Sequence, residues 1–516
     1  MTSAPEQGGP TDRARPTAVT WESLRLQGFG RHRDLTLRFP AGLAVWTAPN
    51  EAGKSTAALG LVATVWGLPH LQDTAGFTWG RWRAFAGGPH VGEAAEINRQ
   101  ARFDETAFVK EDKPTLESLR ALIEECRIEV PAQLPPMASG LFGYMGYDMV
   151  RLMEHLPNPK PKPYDVPDGM FVRPTIIAVF DNIEDTVTLI TPARVEPGLD
   201  AEAAYRQARE RLSDVIEDFG RSLPFRREAS GATATPPEPT SNTTREEFHA
   251  MVEKAKDYIL AGDAFQVVPS QRFEVPFKLP PIALYRSLRR LNPSPFLFLL
   301  DFGKFSIVGS SPEILVRLRD ETVTIRPLAG TRKRGATPEE DKALEQELLA
   351  DPKERAEHLM LLDLGRNDVG RVSRIGTVQV KGSFMVERYS HVMHIASHVE
   401  GKIRPELDAV DALCAGFPAG TVSGAPKVRA MEIIDELEKS RRGIYAGAVG
   451  YFSANGSMDT CIALRTALVK DGVMYVQAGG GVVADSDPES EYQESINKAR
   501  ALVRAAQAAV RFAATR

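Results

Sequence analysis

Hydrophobic and polar residues alternate in two short runs near the start of the chain, which is the pattern of strands with one buried face. The runs cover residues 22–29 and 33–39, and a third apolar run covers residues 43–46. The following residues read APNEAGKST, and an apolar stretch of helical character then extends through Trp66. The pattern therefore predicts three strands, a turn that contains glycine, and a helix.

The turn after the third run has the parts of a phosphate-binding P-loop. In such a loop the lysine, here Lys54, contacts phosphates, and the hydroxyl that follows, here Ser55, binds magnesium. Residues 22–68 resemble the N-terminal end of the recombination and chromosome-maintenance ATPases, although Ala48 replaces the usual first glycine. Because no apolar strand ending in paired acids follows, we favour a structural remnant of a truncated P-loop-like β/α segment over a working nucleotide site.

Apolar runs in the last third of the chain are separated by dipeptides that form hairpin turns. Asn455-Gly456 and Asp471-Gly472 divide this region into residues 445–452, 458–469 and 473–483. Asn-Gly and Asp-Gly turns join antiparallel strands. The chain is therefore predicted to have an α+β fold rather than a doubly wound parallel sheet.

Changes in composition divide the chain into six segments. A polar tail predicted to be disordered comes first, and it is followed by the P-loop-like segment, a junction and a first subdomain. A linker with Ala, Thr and Pro repeats comes next, and a larger domain then opens with a capping box between Thr244 and Glu247. The boundaries are residues 1–20, 21–68, 69–91, 92–225, 226–242 and 243–516.

Composition and charge narrow the class of protein. The chain has 516 residues with a net charge of −5, which provides no electrostatic reason to expect nucleic acid or membrane partners. Cys126, Cys414 and Cys461 are widely separated and lack metal-ligand spacing, which fits a reducing compartment. No apolar run reaches the roughly 18 residues needed to span a bilayer. We therefore expect a cytoplasmic protein.

Two pairs of glutamates lie on predicted helices. Glu354 and Glu357 are three residues apart, as are Glu491 and Glu494, so that each pair shares one helical face. If these faces meet, their oxygens suit Mg²⁺, which commonly takes one or two carboxylates. The alternative is two solvated acidic faces, with Glu494 paired to Lys498 four residues later. The residues alone favour that alternative.

Three further features are candidates for binding an anion. Residues 417–427 form a loop rich in small residues before a predicted helix, where backbone N–H groups are free; an ordinary Gly/Pro turn is the alternative. Arg465 lies among small apolar residues, where an arginine is costly unless it meets an anion. Residues 479–481 are a triple glycine. His394 lies in an apolar run, where a core histidine is the usual explanation and proton transfer is the alternative.

At this point a resemblance becomes specific. Residues from about 92 to 516 resemble the large subunit of anthranilate synthase, a family of chorismate-utilising enzymes with antiparallel sheets and helices outside. The motifs keep the family order over the whole region. They are residues 309–313 (GSSPE), 327–332 (PLAGTR), 363–368 (DLGRND), 417–427, 442–447 (RGIYAG) and 491–498.

The resemblance implies an activity and assigns roles. Chorismate and ammonia would yield anthranilate and pyruvate, with Glu313 as general acid, His394 assisting the elimination and Thr421 at the reaction centre. Mg²⁺ would be held chiefly by Glu357 and Glu494, with Glu354 and Glu491 acting through water. A separate glutaminase subunit would supply the ammonia in a hetero-oligomer. The residues implied to bind substrate are Gly330, Thr331, Thr421, Gly424, Ala425, Tyr445, Arg465, Gly479, Gly480, Gly481 and Lys498.

Sister enzymes share this fold, and two positions separate them. Gln266 stands where relatives that make isochorismate or salicylate have a lysine, and Ala329 stands where aminodeoxychorismate synthases often have one. The resemblance therefore favours anthranilate synthase. Amination of the aminodeoxychorismate type, or an inactive fusion with a P-loop fragment, are the alternatives.

The chain departs from the family at its N-terminus. The Leu-Leu-Glu-Ser segment of the tryptophan feedback site is not found, whereas the other half of that site, Asn292-Pro293-Ser294, is present. We therefore predict that feedback inhibition is lost or badly weakened. The family's first strands are also replaced, which predicts an uncovered sheet edge and lowered stability unless residues 22–68 cover that edge.

Overall fold

A computed structural model describes most of the chain after residue 94. The described residues are 95–98, 107–156, 159–195, 198–221, 238–389 and 392–514, together with four earlier strands for which the backbone alone is described. The predictions for residues 1–20, for Lys54 and Ser55, and for most of the linker lie outside the described residues. Within the described part, no helix is both long and apolar enough to cross a membrane.

The strands follow one another in short pieces. They are β1 Ser23–Gln27, β2 Asp34–Arg38, β3 Leu43–Pro49, β4 Arg83–Phe85, β5 Glu96–Ile97, β6 Val109–Lys110, β7 Gly140–Met145, β8 Gly169–Val172, β9 Ile177–Asp181, β10 Thr186–Pro192, β11 Thr240–Ser241, β12 Gln266–Val267, β13 Ser270–Pro276, β14 Phe296–Asp301, β15 Ser306–Ser311, β16 Ile314–Arg319, β17 Thr322–Ile325, β18 Leu328–Lys333, β19 Gln379–Arg388, β20 Val392–Lys402, β21 Gly424–Ala425, β22 Ala448–Ser453, β23 Met458–Ile462, β24 Thr466–Lys470 and β25 Val473–Gly479.

Ten α-helices are described among these strands. They are α1 Thr115–Glu124, α2 Ala201–Gly220, α3 Arg245–Leu260, α4 Pro281–Leu291, α5 Pro338–Ala350, α6 Pro352–Val372, α7 Ala409–Gly416, α8 Gly420–Ser423, α9 Lys427–Leu437 and α10 Pro488–Ala514.

Two large antiparallel sheets form the centre of the molecule. One has ten strands in the order β18-β20-β17-β16-β23-β22-β7-β8-β4, with β19 paired to β20, and the other has six in the order β11-β13-β25-β24-β15-β14. Helices α4 and α10 pack on the six-stranded sheet through residues such as Leu288 and Leu502, both fully buried. Helices α6 and α7 pack on the ten-stranded sheet through Val369 and Leu413. This arrangement confirms the predicted α+β fold with helices outside antiparallel sheets.

The helix starts show why these segments are helical. The Thr244 hydroxyl accepts a hydrogen bond from the Glu247 N–H, and the Glu247 carboxylate accepts one from the Thr244 N–H, which is the predicted capping box of α3. Asp351 caps α6 by accepting from the N–H groups of Lys353 and Glu354. Such a cap typically contributes about 1 kcal/mol, and the Asp351 cap also begins the helix that carries Glu354 and Glu357.

One predicted strand is two strands in the structure. The run 458–469 divides into β23 and β24, which belong to different sheets, so the prediction of a single strand there was wrong. The chain passes between the sheets at residues 463–465, where Arg465 has a positive φ of 48°. Both hairpins are confirmed, because β22 pairs with β23 and β24 pairs with β25, each antiparallel.

The N-terminal strands pair with the sheet edge that the sequence analysis expected to be uncovered unless residues 22–68 cover it. A five-stranded sheet has the order β1-β2-β3-β10-β9. In it β3 pairs antiparallel with β10 from Leu43 opposite Pro192 to Pro49 opposite Thr186. The first strands of the chain are therefore hydrogen-bonded to the first subdomain. Without them β10 would be an edge strand with unpaired backbone groups.

Removal of residues 1–80 is expected to lower the midpoint of thermal unfolding and to increase aggregation, because it leaves β10 as an unpaired edge. Differential scanning fluorimetry and gel filtration would measure the two effects. Removal of residues 1–20 alone is the matched control and should change neither. A fragment starting near residue 80 that is as stable and as monodisperse as the full chain would contradict the edge-covering role.

Candidate active site

A buried carboxyl group lies at the junction of the two large sheets. Glu313 lies between β15 and β16, and only 4 % of it is exposed. Its Oε1 accepts hydrogen bonds from the Thr421 hydroxyl at 2.9 Å and from the Leu328 N–H at 3.4 Å. Burial raises the pKa of Glu313 to about 8, although both hydrogen bonds lower it in part. Glu313 is therefore mainly protonated at neutral pH and can donate a proton.

His394 on β20 is held in one tautomer. Its Nδ1 lies 3.0 Å from the Gly330 carbonyl oxygen and 3.1 Å from the Thr331 hydroxyl. A carbonyl only accepts, so Nδ1 carries the proton and Nε2 is the basic nitrogen. Burial lowers the pKa of His394, and the nearby positive charge of Arg465 lowers it further, while the Gly330 carbonyl acts in the opposite direction. The ring is therefore neutral at physiological pH and suited to take up a proton.

Arg465 interacts electrostatically with both groups just described. Burial lowers the pKa of this arginine, and its electrostatic partners are Tyr389 and Glu313. The backbone carbonyl of Arg465 accepts a hydrogen bond from Ser310 at 3.1 Å, which ties the sheet break to β15. With a mainly protonated Glu313 and the Tyr389 hydroxyl as its electrostatic partners, the buried guanidinium is available to a ligand anion.

The two glutamate pairs face each other. Glu357 on α6 is affected electrostatically by Glu354 and by Glu494 of α10, and burial together with these charges raises its pKa. Burial and Glu494 likewise raise the pKa of Glu491. The two predicted helical faces are thus close enough for their charges to interact. The Glu494–Lys498 ion pair, which was expected for solvated acidic faces, is also present, since Lys498 Nζ lies 2.7 Å from Glu494 Oε1.

The carboxylates have the chemistry of a magnesium site. Glu491 Oε1 accepts from Ser486 at 2.8 Å, but its Oε2 is buried without a hydrogen-bond partner. A Cβ added at Gly480 would lie 2.5 Å from that Oε2, so the glycine keeps the space beside it open. Among the described residues no three acidic, histidine or cysteine side chains converge as a ready metal cluster. A site with one or two protein carboxylates, completed by substrate and water, matches the preference of Mg²⁺.

The glycines at the end of β25 hold the other side of the pocket. Lys498 Nζ donates to the Gly479 carbonyl at 3.0 Å, and burial raises the pKa of the Tyr445 hydroxyl. A Cβ at Gly481 would lie 2.4 Å from Nε2 of Gln266. That Nε2 donates to Glu357 Oε1 at 3.2 Å, so the triple glycine and the acidic helix are linked through one amide.

The loop 417–427 is tied down by backbone pairing. Its residues Gly424 and Ala425 form β21, which pairs with β12 through Val267 and Gln266. Gly424 has φ 128°, and a Cβ there would lie 2.1 Å from the Gln266 carbonyl, so a glycine is required. The loop is thus a fixed wall of the pocket that presents Thr421 to Glu313, and the interpretation as an ordinary turn does not describe it.

Sequence reasoning missed a buried ion pair beneath this loop. Arg442 is 1 % exposed and contacts Glu438 through Nε at 3.1 Å and Nη2 at 2.7 Å. Its Nη1 donates to the Val422 carbonyl at 2.6 Å, and its guanidinium carbon lies 5.4 Å from the Tyr445 ring centre. Arg442 therefore positions both the loop and the tyrosine. Arg442 is the first residue of the RGIYAG motif, and this motif is the sequence feature that could have identified it.

The segment that the family resemblance assigns to a feedback site lies beside β15. The Asn292 carbonyl accepts from the Ser310 hydroxyl at 2.5 Å, and the Ser294 hydroxyl donates to the Ser311 carbonyl. Pro293 lies between them. These residues are thus joined to β15, which leads directly to Glu313.

Comparison with known proteins shows the family to which the chain belongs. The chorismate binding enzyme family matches residues 80–504, and an AAA domain family matches residues 20–120. Anthranilate synthase component 1 of Cereibacter sphaeroides is 63 % identical over 422 residues, which is 82 % of this chain and 84 % of the relative. The Pseudomonas aeruginosa protein of the same name is 50 % identical over 80 % of this chain and 82 % of the relative.

Solved structures have the same fold. Anthranilate synthase component I from Streptococcus pneumoniae superposes with a TM-score of 0.69 at 36 % identity, covering 88 % of this chain and 100 % of that one. The menaquinone-specific isochorismate synthase from Escherichia coli, at 23 % identity, has a TM-score of 0.62 and shares the fold; it covers 90 % of this chain and 95 % of that one.

The fold and the buried carboxyl, histidine and glutamate groups define a chorismate-binding enzyme. Within that class, the identity to the curated relatives over most of their length is decisive. The chain belongs to the anthranilate synthase component 1 family, which confirms the predicted resemblance.

Proposed function

We propose that this chain binds chorismate at the Glu313 site and converts it, with ammonia, to anthranilate, pyruvate and water. The observations that support this best are the electrostatic interaction between the two glutamate pairs and the hydrogen bond from Thr421 to the protonated Glu313. One group of residues can hold a metal-bound carboxylate, and the other can donate a proton to a leaving hydroxyl. Both are needed for this amination.

The proposed chemistry has two stages. Ammonia forms a bond to C2 as the C4–O bond breaks, and Glu313 protonates the departing hydroxyl so that it leaves as water. After the new ammonium group at C2 has lost a proton to solvent, His394 Nε2 takes the C2 proton while the C3–O bond breaks. The side chain leaves as enolpyruvate, which takes up a proton from solvent and becomes pyruvate. Arg465 and the backbone at Gly424 and Ala425 would hold the substrate carboxylate that the glutamates do not.

Mg²⁺ is the proposed cofactor. Glu357 and Glu494 would hold it, and Glu354 and Glu491 would act through water, because the unpartnered Glu491 Oε2 and the space at Gly480 suit a cation with bound water. When bound, the ion neutralises the ring carboxylate of the substrate. Arg332 Nη1 lies 2.9 Å from Glu354 Oε1 and fixes that carboxylate at the rim of the site.

A glutaminase subunit is the proposed ammonia source. Cys126 and Cys461 are buried and Cys414 is partly buried. Burial raises the pKa of Cys414 to about 12 and that of Cys461 still further, so neither is a thiolate nucleophile. A glutamine-cleaving site would therefore be supplied in trans, in a hetero-oligomer. The expected location in the cytoplasm rests on the sequence alone.

The direct test is anthranilate fluorescence from chorismate, Mg²⁺ and ammonium at alkaline pH. The full chain is expected to produce the signal, and Glu494→Gln is expected to produce far less because it removes a proposed metal ligand. An inactive parent chain would refute the proposed function. The AAA match supports a second candidate, a nucleotide-dependent module, and ATP turnover abolished by Lys54→Ala would favour it.

Tryptophan at micromolar concentration is expected to leave anthranilate formation unchanged. Half of the family's feedback site is replaced, and the remaining half, Asn292 to Ser294, is hydrogen-bonded into β15. Initial rates with and without tryptophan, together with calorimetric titration of tryptophan, would measure inhibition and binding. Micromolar inhibition would contradict this prediction.

A further inference from the structure

Tyr445 lies in an irregular turn of the chain. The turn follows α9, which ends at Leu437, and it precedes β22, which begins at Ala448. Only 7 % of Tyr445 is exposed. Burial raises the pKa of its hydroxyl, and the positive charges of Arg442 and Lys498 lower that pKa in part. Because Tyr445 lies outside the helix and the strand that flank it, its position depends on the contacts of the turn.

Residues of the first subdomain hold the backbone of this turn. The Arg441 N–H donates to the Pro161 carbonyl at 3.0 Å. The Gly443 carbonyl accepts from the Tyr147 N–H at 2.8 Å, and the Gly443 N–H donates to Asp148 Oδ2 at 2.8 Å. Asp148 and Gly443 are 295 positions apart in the chain. The turn is thus held by contacts that are distant in sequence.

One hydroxyl group of the first subdomain bridges two peptide groups of the turn. Tyr164 Oη donates to the Arg442 carbonyl at 3.3 Å and accepts from the Ile444 N–H at 3.2 Å. Gly443, between them, has a φ of 63°, and a Cβ added there would lie 2.3 Å from Tyr164 Oη. A glycine is therefore required for this close approach. Since Tyr445 follows Ile444 directly, the hydroxyl fixes the backbone from which the Tyr445 side chain extends.

Two side chains of different kinds thus anchor the turn. The ring of Tyr164 packs against the ring of Tyr475 on β25, with 5.3 Å between the ring centres. This packing holds the hydroxyl in place, and it does not require the hydroxyl. Burial raises the pKa of Asp148 to about 6. Asp148 is therefore ionised at alkaline pH, and its hydrogen bond from the Gly443 N–H is charge-assisted.

We propose that Tyr164 and Asp148 are positioning residues, which place the Tyr445 hydroxyl in the chorismate site by holding the turn before it. The proposal rests on the proposed function and on the role in substrate binding that the family resemblance implies for Tyr445. Both residues act through the backbone of the turn and not on the substrate itself. Their loss should weaken chorismate binding and leave the proton transfers of Glu313 and His394 unchanged.

Tyr164→Phe keeps the ring and removes the hydroxyl. It is expected to raise the KM for chorismate about fivefold, with kcat and the KM for ammonia unchanged, because the turn loses two hydrogen bonds. Steady-state anthranilate fluorescence at alkaline pH, with chorismate varied at saturating Mg²⁺ and ammonium, would measure these constants. Thermal unfolding of the same preparations would show that each variant is folded. Tyr475→Phe is the matched control, because it removes a hydroxyl from the neighbouring ring, and it should change neither KM.

Two more variants test whether the effect acts through Tyr445. Tyr445→Phe removes the hydroxyl that the turn places, so adding Tyr164→Phe to it should raise the KM for chorismate by no more than about twofold. Asp148→Asn keeps the shape of the side chain and replaces a charge-assisted hydrogen bond by a neutral one. It is expected to raise the KM for chorismate about twofold on its own, and it decides if Tyr164→Phe does not fold.

Three outcomes would overturn the proposal. The first is a KM for chorismate that stays at the parent value in both Tyr164→Phe and Asp148→Asn, even if their unfolding temperatures fall. The second is an undiminished rise when Tyr164→Phe is added to Tyr445→Phe, since the Tyr164 hydroxyl would then act by another path. The third is an equal rise in Tyr475→Phe, which would assign the effect to ring packing. An inactive parent chain would instead refute the proposed function.

Discussion

Replacement of Glu313 by glutamine is expected to lower kcat for anthranilate formation by about 10²–10⁴-fold, the usual contribution of a general acid. The amide keeps the shape of the side chain and accepts the hydrogen bond from Thr421, but it has no acidic proton for the departing hydroxyl. Fluorescence assays with saturating chorismate and ammonium would measure the loss. Glu253→Gln, at an exposed glutamate on α3, is the control and should retain full activity.

The pH dependence provides a second readout of the same group. Because burial raises the pKa of Glu313 to about 8, kcat/KM for chorismate should fall above that pH when free ammonia is held constant. The Glu313→Gln variant should lack this fall. A Glu313→Gln variant with the kcat of the wild type would rule out the proton-donor role.

The raised pKa of Glu313 also affects stability. Protonated Glu313 stabilises the folded state at low pH, and this contribution is lost as the pH rises from about 4.5 to about 8.

The spacing of the glutamates was readable from the sequence, whereas their meeting was not. Residues three apart share a helical face whatever the tertiary structure, so Glu354 with Glu357 and Glu491 with Glu494 could be paired at once. The contact between α6 and α10 depends on long-range packing, and only the family resemblance indicated it. In the structure the charge of Glu494 contributes to the raised pKa of Glu357, so the two carboxylates are close enough to interact electrostatically.

Arg465 shows a different limit of sequence analysis. Its apolar neighbours predicted an anion-binding arginine inside one continuous strand. The structure places it at a break where the chain leaves the ten-stranded sheet for the six-stranded one. A β-rich composition does not reveal such a break, because β23 and β24 have the same strand character. At this break Arg465 interacts electrostatically with Tyr389 and Glu313.

The Glu438–Arg442 pair was missed because its spacing has a common, weaker explanation. Residues four apart with opposite charge usually form an exposed pair on a helix, worth a few tenths of a kcal/mol. Here α9 ends at Leu437, and the pair is buried by segments that are distant in sequence. Arg442 Nη2 donates to the Val268 carbonyl at 2.5 Å, and Glu438 accepts from the Ser270 N–H at 2.9 Å. Sequence spacing carries no information on these contacts.

Replacement of Arg442 by methionine is expected to destabilise the protein by about 3–5 kcal/mol, the cost of leaving one member of a buried ion pair without its partner. The Glu438 carboxylate and the Val268 and Val422 carbonyls would remain buried without the donors they now have. Chemical denaturation monitored by fluorescence would measure the change in the free energy of unfolding.

Two further variants test whether the loss of stability comes from the uncompensated charge or from lost packing. Arg429→Met, at an arginine on α9 whose side chain is 37 % exposed, is the control and should cost no more than about 1 kcal/mol. The double variant Arg442→Met with Glu438→Leu removes both charges, so it should be less destabilised than Arg442→Met alone. A double variant that is less stable than the single one would show that packing, and not an uncompensated charge, dominates. Arg442 also donates to the Val422 carbonyl and lies over the Tyr445 ring. The folded protein of each variant that lacks Arg442 should therefore show a raised KM for chorismate.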